Sequence, residues 1–154
     1  MPIVALFEGE QASGKDTCIS GVWFELKKRG YDVEVIEEWA RSAKYAGLTL
    51  DTTTSVNSQL YMLGMQVAYE ALRNEKSRAD FLLLNRSLID VMVITHVNLD
   101  KRIANKFKVA IQSLLELLRY DRIYYLQRFS DKVPDDKVRE TDSLYRDTVR
   151  ERFG

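Results

Sequence analysis

The sequence predicts one α/β domain, a short parallel sheet of about four strands with helices on both faces. Three observations predict it. Four β-rich runs, at 3–7, 33–36, 81–84 and 123–126, alternate with segments of helical periodicity. The first run ends in a glycine-bounded loop at 9–17 that opens directly into a helical pattern. The chain has 154 residues, 45% of them hydrophobic, which is the size and apolar content of a single core.

Each element has its own warrant. Residues 3–7 are a continuous apolar run, as expected of a strand buried on both faces. Ile19, Val22, Trp23 and Leu26 then recur at helical spacing, and Gly30 closes that helix. The second strand, 33–36, is flanked by Asp32, Glu37 and Glu38. A Thr-rich loop at 47–54 precedes a helix over 55–76, with Leu60, Leu63, Val67, Ala71 and Leu72 expected inward. The third strand is 81–84. A helix over 101–119 carries the stripe Ile103, Phe107, Ala110, Ile111, Leu114 and Leu118. Asp121 and Arg122 lead into the fourth strand, and 142–152 reads as a short final helix. There is no internal repeat or linker, so residues 1–154 are expected to form one domain.

Composition narrows the function classes. With 23 basic and 23 acidic residues the formal net charge is zero, which argues against a surface built to grip nucleic acid or an anionic membrane. No run approaches the ~20 apolar residues of a membrane span. The N-terminal apolar run is too short for a signal peptide. Cys18, the single cysteine, cannot form an internal disulfide, so a cytoplasmic setting is expected and Cys18 reads as a buried spacer. His96, the single histidine, has no partner at metal-ligand spacing and reads as structural. Trp23 and Trp39 read as core and wall.

Residues 9–17 read Gly-Glu-Gln-Ala-Ser-Gly-Lys-Asp-Thr, the pattern G-x-x-x-x-G-K between a strand and a helix. That arrangement is a phosphate cradle, which specifies the three-layer P-loop NTPase fold. Gly9 and Gly14 permit backbone angles that a Cβ resists. The N–H groups around Gln11, Ala12, Ser13 and Gly14 then face anionic oxygens, and Lys15 adds a point charge for the terminal phosphates of ATP. The position after the lysine is usually Ser or Thr, a Mg²⁺ ligand. Here it is Asp16, with Thr17 one place later, near the α-phosphate.

In a parallel sheet, ligands gather at the carboxyl ends of the strands. That rule singles out Gly9, then 37–41, 85–90 and 127–139. Glu38 is placed to accept a proton or hydrogen bond from a substrate hydroxyl, with Arg41 beside it. Arg86 offers a planar fork for phosphate or acceptor oxygens. The acid that commonly supports Mg²⁺ at the third strand end is here Asn85. A carboxylate is thus missing at 85 and gained at 16, so Asp16 and Asn85 are expected to serve the metal together. Arg128, Lys132, Lys137 and Arg139 surround a charged loop at 131–136, a candidate lid over 128–141. Arg139 is the expected transition-state arginine and Arg128 a further ATP contact. Gln59 and Gln66 share a helix face; Gln66 could contact a nucleobase edge, or both could form an ordinary polar stripe.

Together, residues 9–17, 38–41, 85–90 and 135–142 occur in the order seen in small P-loop kinases. Over nearly its whole length the chain resembles the thymidylate kinase-like and deoxynucleoside kinase-like proteins, including the ribosylnicotinamide kinase type. The resemblance implies that Glu38 lies by the acceptor hydroxyl or phosphate, that Arg86 binds the acceptor side, and that Arg139 closes on ATP. The G-K-D-T form of the loop resembles certain phage-type nucleoside monophosphate kinases and phosphomevalonate kinase. The family commonly adds a fifth strand, so the expectation is a shorter sheet here, an edge strand from a partner copy in a homodimer, or a reduced relative of the family. The expected activity is ATP- and Mg²⁺-dependent phosphoryl transfer to a small nucleoside or nucleoside monophosphate, with Lys15, Glu38, Arg86 and Arg139 as the catalytic set. The alternatives are a kinase of a non-nucleotide metabolite and a nucleotide-binding regulatory module with little turnover.

Overall fold

A computed structural model of the chain describes residues 1–127 except 10–12, 38 and 51. Gln11, Ala12 and Glu38, the lid around 128–141 with Arg128, Lys132, Lys137 and Arg139, and the helix expected over 142–152 lie outside the described residues.

The elements run β1 (Ile3–Glu8), α1 (Lys15–Lys28), β2 (Val33–Ile36), α2 (Trp39–Tyr45), α3 (Val56–Lys76), β3 (Phe81–Asn85), α4 (Leu88–Asn98), α5 (Lys101–Leu115) and β4 (Arg122–Tyr125). The four strands form one sheet in the order β2-β3-β1-β4, and every pairing is parallel. β1 lies centrally, with Phe7 opposite Asn85 of β3 and Tyr124 of β4.

The period-two alternation of β1 divides the core and sets up the site. Val4 and Leu6 face the α3 and α4 side with Leu82, Leu84 and Ile36, against Tyr69, Ile89 and Tyr120. Ala5 and Phe7 face α1, packing with Leu83, Val33 and Ile19. Each fully buried Leu contributes roughly 1.5–3 kcal/mol by leaving water. The same alternation carries Glu8 onto the α3/α4 face and Asn85 onto the α1 face. α5 packs outside α4 through Phe107 and Ile111. Among the described residues no helix is long and apolar enough to cross a membrane.

Two helices were not foreseen, and two expectations need correction. α4 is not marked by amphipathic periodicity, because it is buried along Leu88, Val91, Val93 and Thr95 and apolar on most sides. The seven-residue α2 is too short to show a period. In α3, Leu60 and Leu72 are 51% and 46% exposed, whereas Gln59, Gln66 and Glu70 are buried. The polar stripe is the inner face there, because each of its groups finds a hydrogen-bond partner inside. α5 ends at Leu115, where the N–H groups of Leu117 and Leu118 turn back onto the Leu114 carbonyl; Ala104, rather than exposed Ala110, is its small buried residue.

Candidate active site

Gly9 and Ser13 both hold the lysine that opens α1. Lys15, the first residue of α1, is only 5% exposed, and its Nζ donates to the Gly9 carbonyl at 2.7 Å and to Ser13 Oγ at 3.4 Å. Gly9 has φ +140°, and a Cβ there would come within 2.4 Å of the Leu126 carbonyl oxygen. Leu126 is held in place by donating its N–H to the Glu8 carbonyl at 2.9 Å. Gly14 stands at the N-cap of α1 with φ 85°, and no side chain caps that helix. By contrast, Ser55 caps α3, Ser87 caps α4 and Asp100 caps α5. The first amides of α1 therefore face the loop without a side-chain acceptor, which is the arrangement that receives an anion.

Beside this loop, Asn85 Nδ2 donates to Asp16 Oδ1 at 2.8 Å. A carboxylate can only accept, so the contact fixes the amide's orientation. Asn85 Oδ1 is consequently turned away, buried, and without a partner among the described residues. The pair lines an open groove of about 610 Å³ together with Trp23, Phe24 and Glu37. Trp23 is thus a 40% exposed wall residue and not core. Among the described residues no three His, Cys, Asp or Glu side chains form a metal cage. With its N–H side on Asp16, Asn85 turns its oxygen away from that carboxylate; exposed Asp16 by itself suits Mg²⁺, which takes oxygen ligands and completes its shell with water and substrate phosphates.

On the opposite face, Ser87 Oγ donates to Glu8 Oε1 at 2.5 Å while accepting from the Ile89 N–H at 3.0 Å. Glu8 is 2% exposed, and its Oε2 has no partner among the described residues. Burial, with Asp90 nearby, pushes the Glu8 carboxyl up to about 8 against the pull of Ser87, Arg86 and Lys15. Arg86 Nη1 forms a buried ion pair with Asp90. Gln66 Nε2 donates to Glu70 Oε1 at 2.7 Å and to the Arg86 carbonyl at 3.3 Å. Arg41 lies on the exposed side of α2. Trp39 stacks edge-on to Tyr69 at 4.4 Å, with its buried Nε1 unpartnered among the described residues.

The structure thus brings together Gly9, Ser13, Gly14, Lys15, Asp16 and Asn85, and, behind them, Arg86 with Gln66. Thr17 follows, exposed, in the first turn of α1. Sequence reasoning did not single out Glu8, Ser87 or Tyr120. Glu8 had a signal: it continues the 4, 6, 8 alternation of a strand whose other members on that face are apolar.

No protein-family model and no curated protein matches the sequence. Solved structures do match. A NadR protein in complex with NAD and AMP-PNP superposes with TM-score 0.74 at 16% identity, over 98% of this chain and 39% of that one. The chain has the three-layer P-loop fold. A deoxyadenosine kinase from M. mycoides, with dCMP and dCDP bound, aligns with TM-score 0.69 at 17% identity, over 98% of this chain and 81% of that one. A NadR protein in complex with NR gives TM-score 0.68 at 18% identity, over 80% of this chain and 33% of that one. The chain therefore spans well under half the length of the NadR proteins that it matches.

Proposed function

We propose that this chain is an ATP- and Mg²⁺-dependent phosphotransferase whose acceptor is a small nucleoside or nucleoside monophosphate. The observation that carries the reading is the uncapped N-terminus of α1 with the Lys15 ammonium held beside it by Gly9 and Ser13. Such a cradle suits the β- and γ-phosphates, with Thr17 near the α-phosphate. The nucleotides named with the matched structures fit the same reading.

Asp16 would hold Mg²⁺, which supplies charge neutralisation at the phosphate oxygens, and Asn85 would join it through its oxygen once its amide turns over from the contact with Asp16. Glu38 takes the proton from the acceptor oxygen as that oxygen bonds to the γ-phosphorus. The bond from that phosphorus to the β-bridging oxygen breaks, and ADP leaves. Arg86, Arg41 and Gln66 belong to the acceptor side; Arg139 and Arg128 close over ATP and exclude water. A reducing cytoplasm suits the lone Cys18, and a homodimer would extend the short sheet.

A second reading, a nucleotide-binding module with little turnover, is favoured by one feature: position 85 carries neutral Asn where many such sites carry an acid. ADP formation measured with and without a panel of nucleosides and their monophosphates separates the two. Acceptor-dependent ADP is expected. Tight ATP binding with no acceptor-dependent ADP would reject the kinase in favour of the module.

A further inference from the structure

Arg86 is the one non-glycine residue with positive φ among the described residues, at 76°. A left-handed conformation costs roughly 1–2 kcal/mol for a residue with a Cβ, so something must hold it. Both of its peptide groups are held. Its N–H donates to the Phe7 carbonyl of β1 at 3.1 Å, and its carbonyl accepts from Gln66 Nε2 of α3 at 3.3 Å.

Gln66 is itself fixed from behind. Its nitrogen also donates to Glu70 Oε1 at 2.7 Å, and the other Glu70 oxygen accepts from the Tyr120 phenol at 2.5 Å. Tyr120 precedes Asp121, whose N–H donates to the Val4 carbonyl at 2.9 Å and whose Oδ2 accepts from the Val4 N–H at 2.8 Å. A continuous polar chain thus runs from β1 through Tyr120, Glu70 and Gln66 to the backbone of Arg86.

This chain is an expensive way to fill a core. Glu70 is 0% exposed, and burial raises its carboxyl to about 7 despite its bonds from Tyr120 and Gln66. Replacing a buried charge and its partner by apolar groups of similar shape is commonly neutral or stabilising. Packing alone therefore gives no reason for a carboxylate there. The backbone of Arg86 does.

We propose that Glu70 and Tyr120 are positioning residues: they fix Gln66 across the Arg86 carbonyl and so hold the Arg86–Asp90 pair in its orientation toward the acceptor. The catalytic consequence rests on the function proposed above; the structural link does not.

The test uses the full chain and two variants. The double variant Glu70→Leu with Tyr120→Phe removes both ends of the buried contact, whereas Glu70→Gln keeps an acceptor for Gln66. The double variant is expected to melt at or above the wild-type temperature and to bind ATP with unchanged affinity. Its KM for the best acceptor of the nucleoside and monophosphate panel is expected to rise tenfold or more, and Glu70→Gln to stay within about threefold of wild type. Hydrogen exchange at the Arg86 amide is expected to quicken at least tenfold in the double variant alone. Unchanged exchange at Arg86 in a folded double variant overturns the proposal, whatever the acceptor results. So does an unchanged KM, or an ATP affinity that falls in step with the KM. Faster exchange at Arg86 in a protein that phosphorylates no acceptor supports the link and counts against the kinase reading instead.

Discussion

Glu8→Gln gives a direct reading of the buried carboxyl at the end of β1. Burial raises this group from 4.5 to about 8. Its folded value lies above its unfolded one, so its stabilising contribution is complete below pH 4.5 and is lost as pH rises through about 8. At 1.36 kcal/mol per pKa unit, the wild type gives up about 5 kcal/mol from this group across that window. For a chain of this size each kcal/mol moves the melting temperature by roughly 2–4 °C, so the span is about 10 °C or more. Gln mimics the neutral carboxyl and keeps the acceptor for Ser87 Oγ. Its new N–H group at the Oε2 position adds a penalty, but one that does not depend on pH. Glu70 titrates with the same sign in both proteins and cancels in the difference. Thermal unfolding from pH 5 to pH 8 should therefore show the melting temperature of Glu8→Gln gaining steadily on wild type, by about 10 °C in all. Parallel curves would refute the assignment of Glu8 as a carboxyl held neutral by burial.

Gly9→Ala and Gly21→Ala should separate in opposite directions. At Gly9 the new Cβ meets the Leu126 carbonyl at 2.4 Å with φ +140°, so a loss of about 3 kcal/mol or more is expected in denaturant unfolding. Gly21, inside α1 with nothing within 4 Å of its Cβ direction, should gain about 0.5–1 kcal/mol. Ser55→Ala removes the acceptor for the Ser58 N–H and should cost α3 about 1 kcal/mol, read as a lower urea midpoint at unchanged slope. The exchange Asp16→Thr with Asn85→Asp returns the carboxylate to β3, and its Mg²⁺-dependent turnover should exceed that of either single variant. A double variant no better than the worse single one removes the compensation between these positions.

The sheet was legible because its strands are apolar runs separated by helical segments: Val33–Ile36 lies where the sequence placed it, and β1 and β3 each extend one residue further. The turn from β1 into α1 was legible because Gly9 and Gly14 mark the strand end and the helix start at a fixed spacing. α4 was not, because a helix buried on most sides carries no stripe. The inner face of α3 was misread for a related reason. Leu60 and Leu72 look like core by hydropathy, but the buried positions belong to Gln59, Gln66 and Glu70, whose partners Thr95, Arg86 and Tyr120 lie elsewhere in the chain. Hydropathy cannot register a polar group whose burial is licensed by residues far away in sequence. Asp16 and Asn85 were expected to share a metal from two compensating substitutions; their side chains meet at 2.8 Å through the Asn85 N–H, a contact that spacing in sequence does not foretell.

Calorimetric titration of ATP in the presence of Mg²⁺, with wild type and Lys15→Ala side by side, tests the central claim most directly. The account predicts saturable binding by wild type and a loss of at least tenfold in affinity for a variant that melts as a folded protein. Equal affinities in the two proteins, or no ATP binding by wild type, would contradict it.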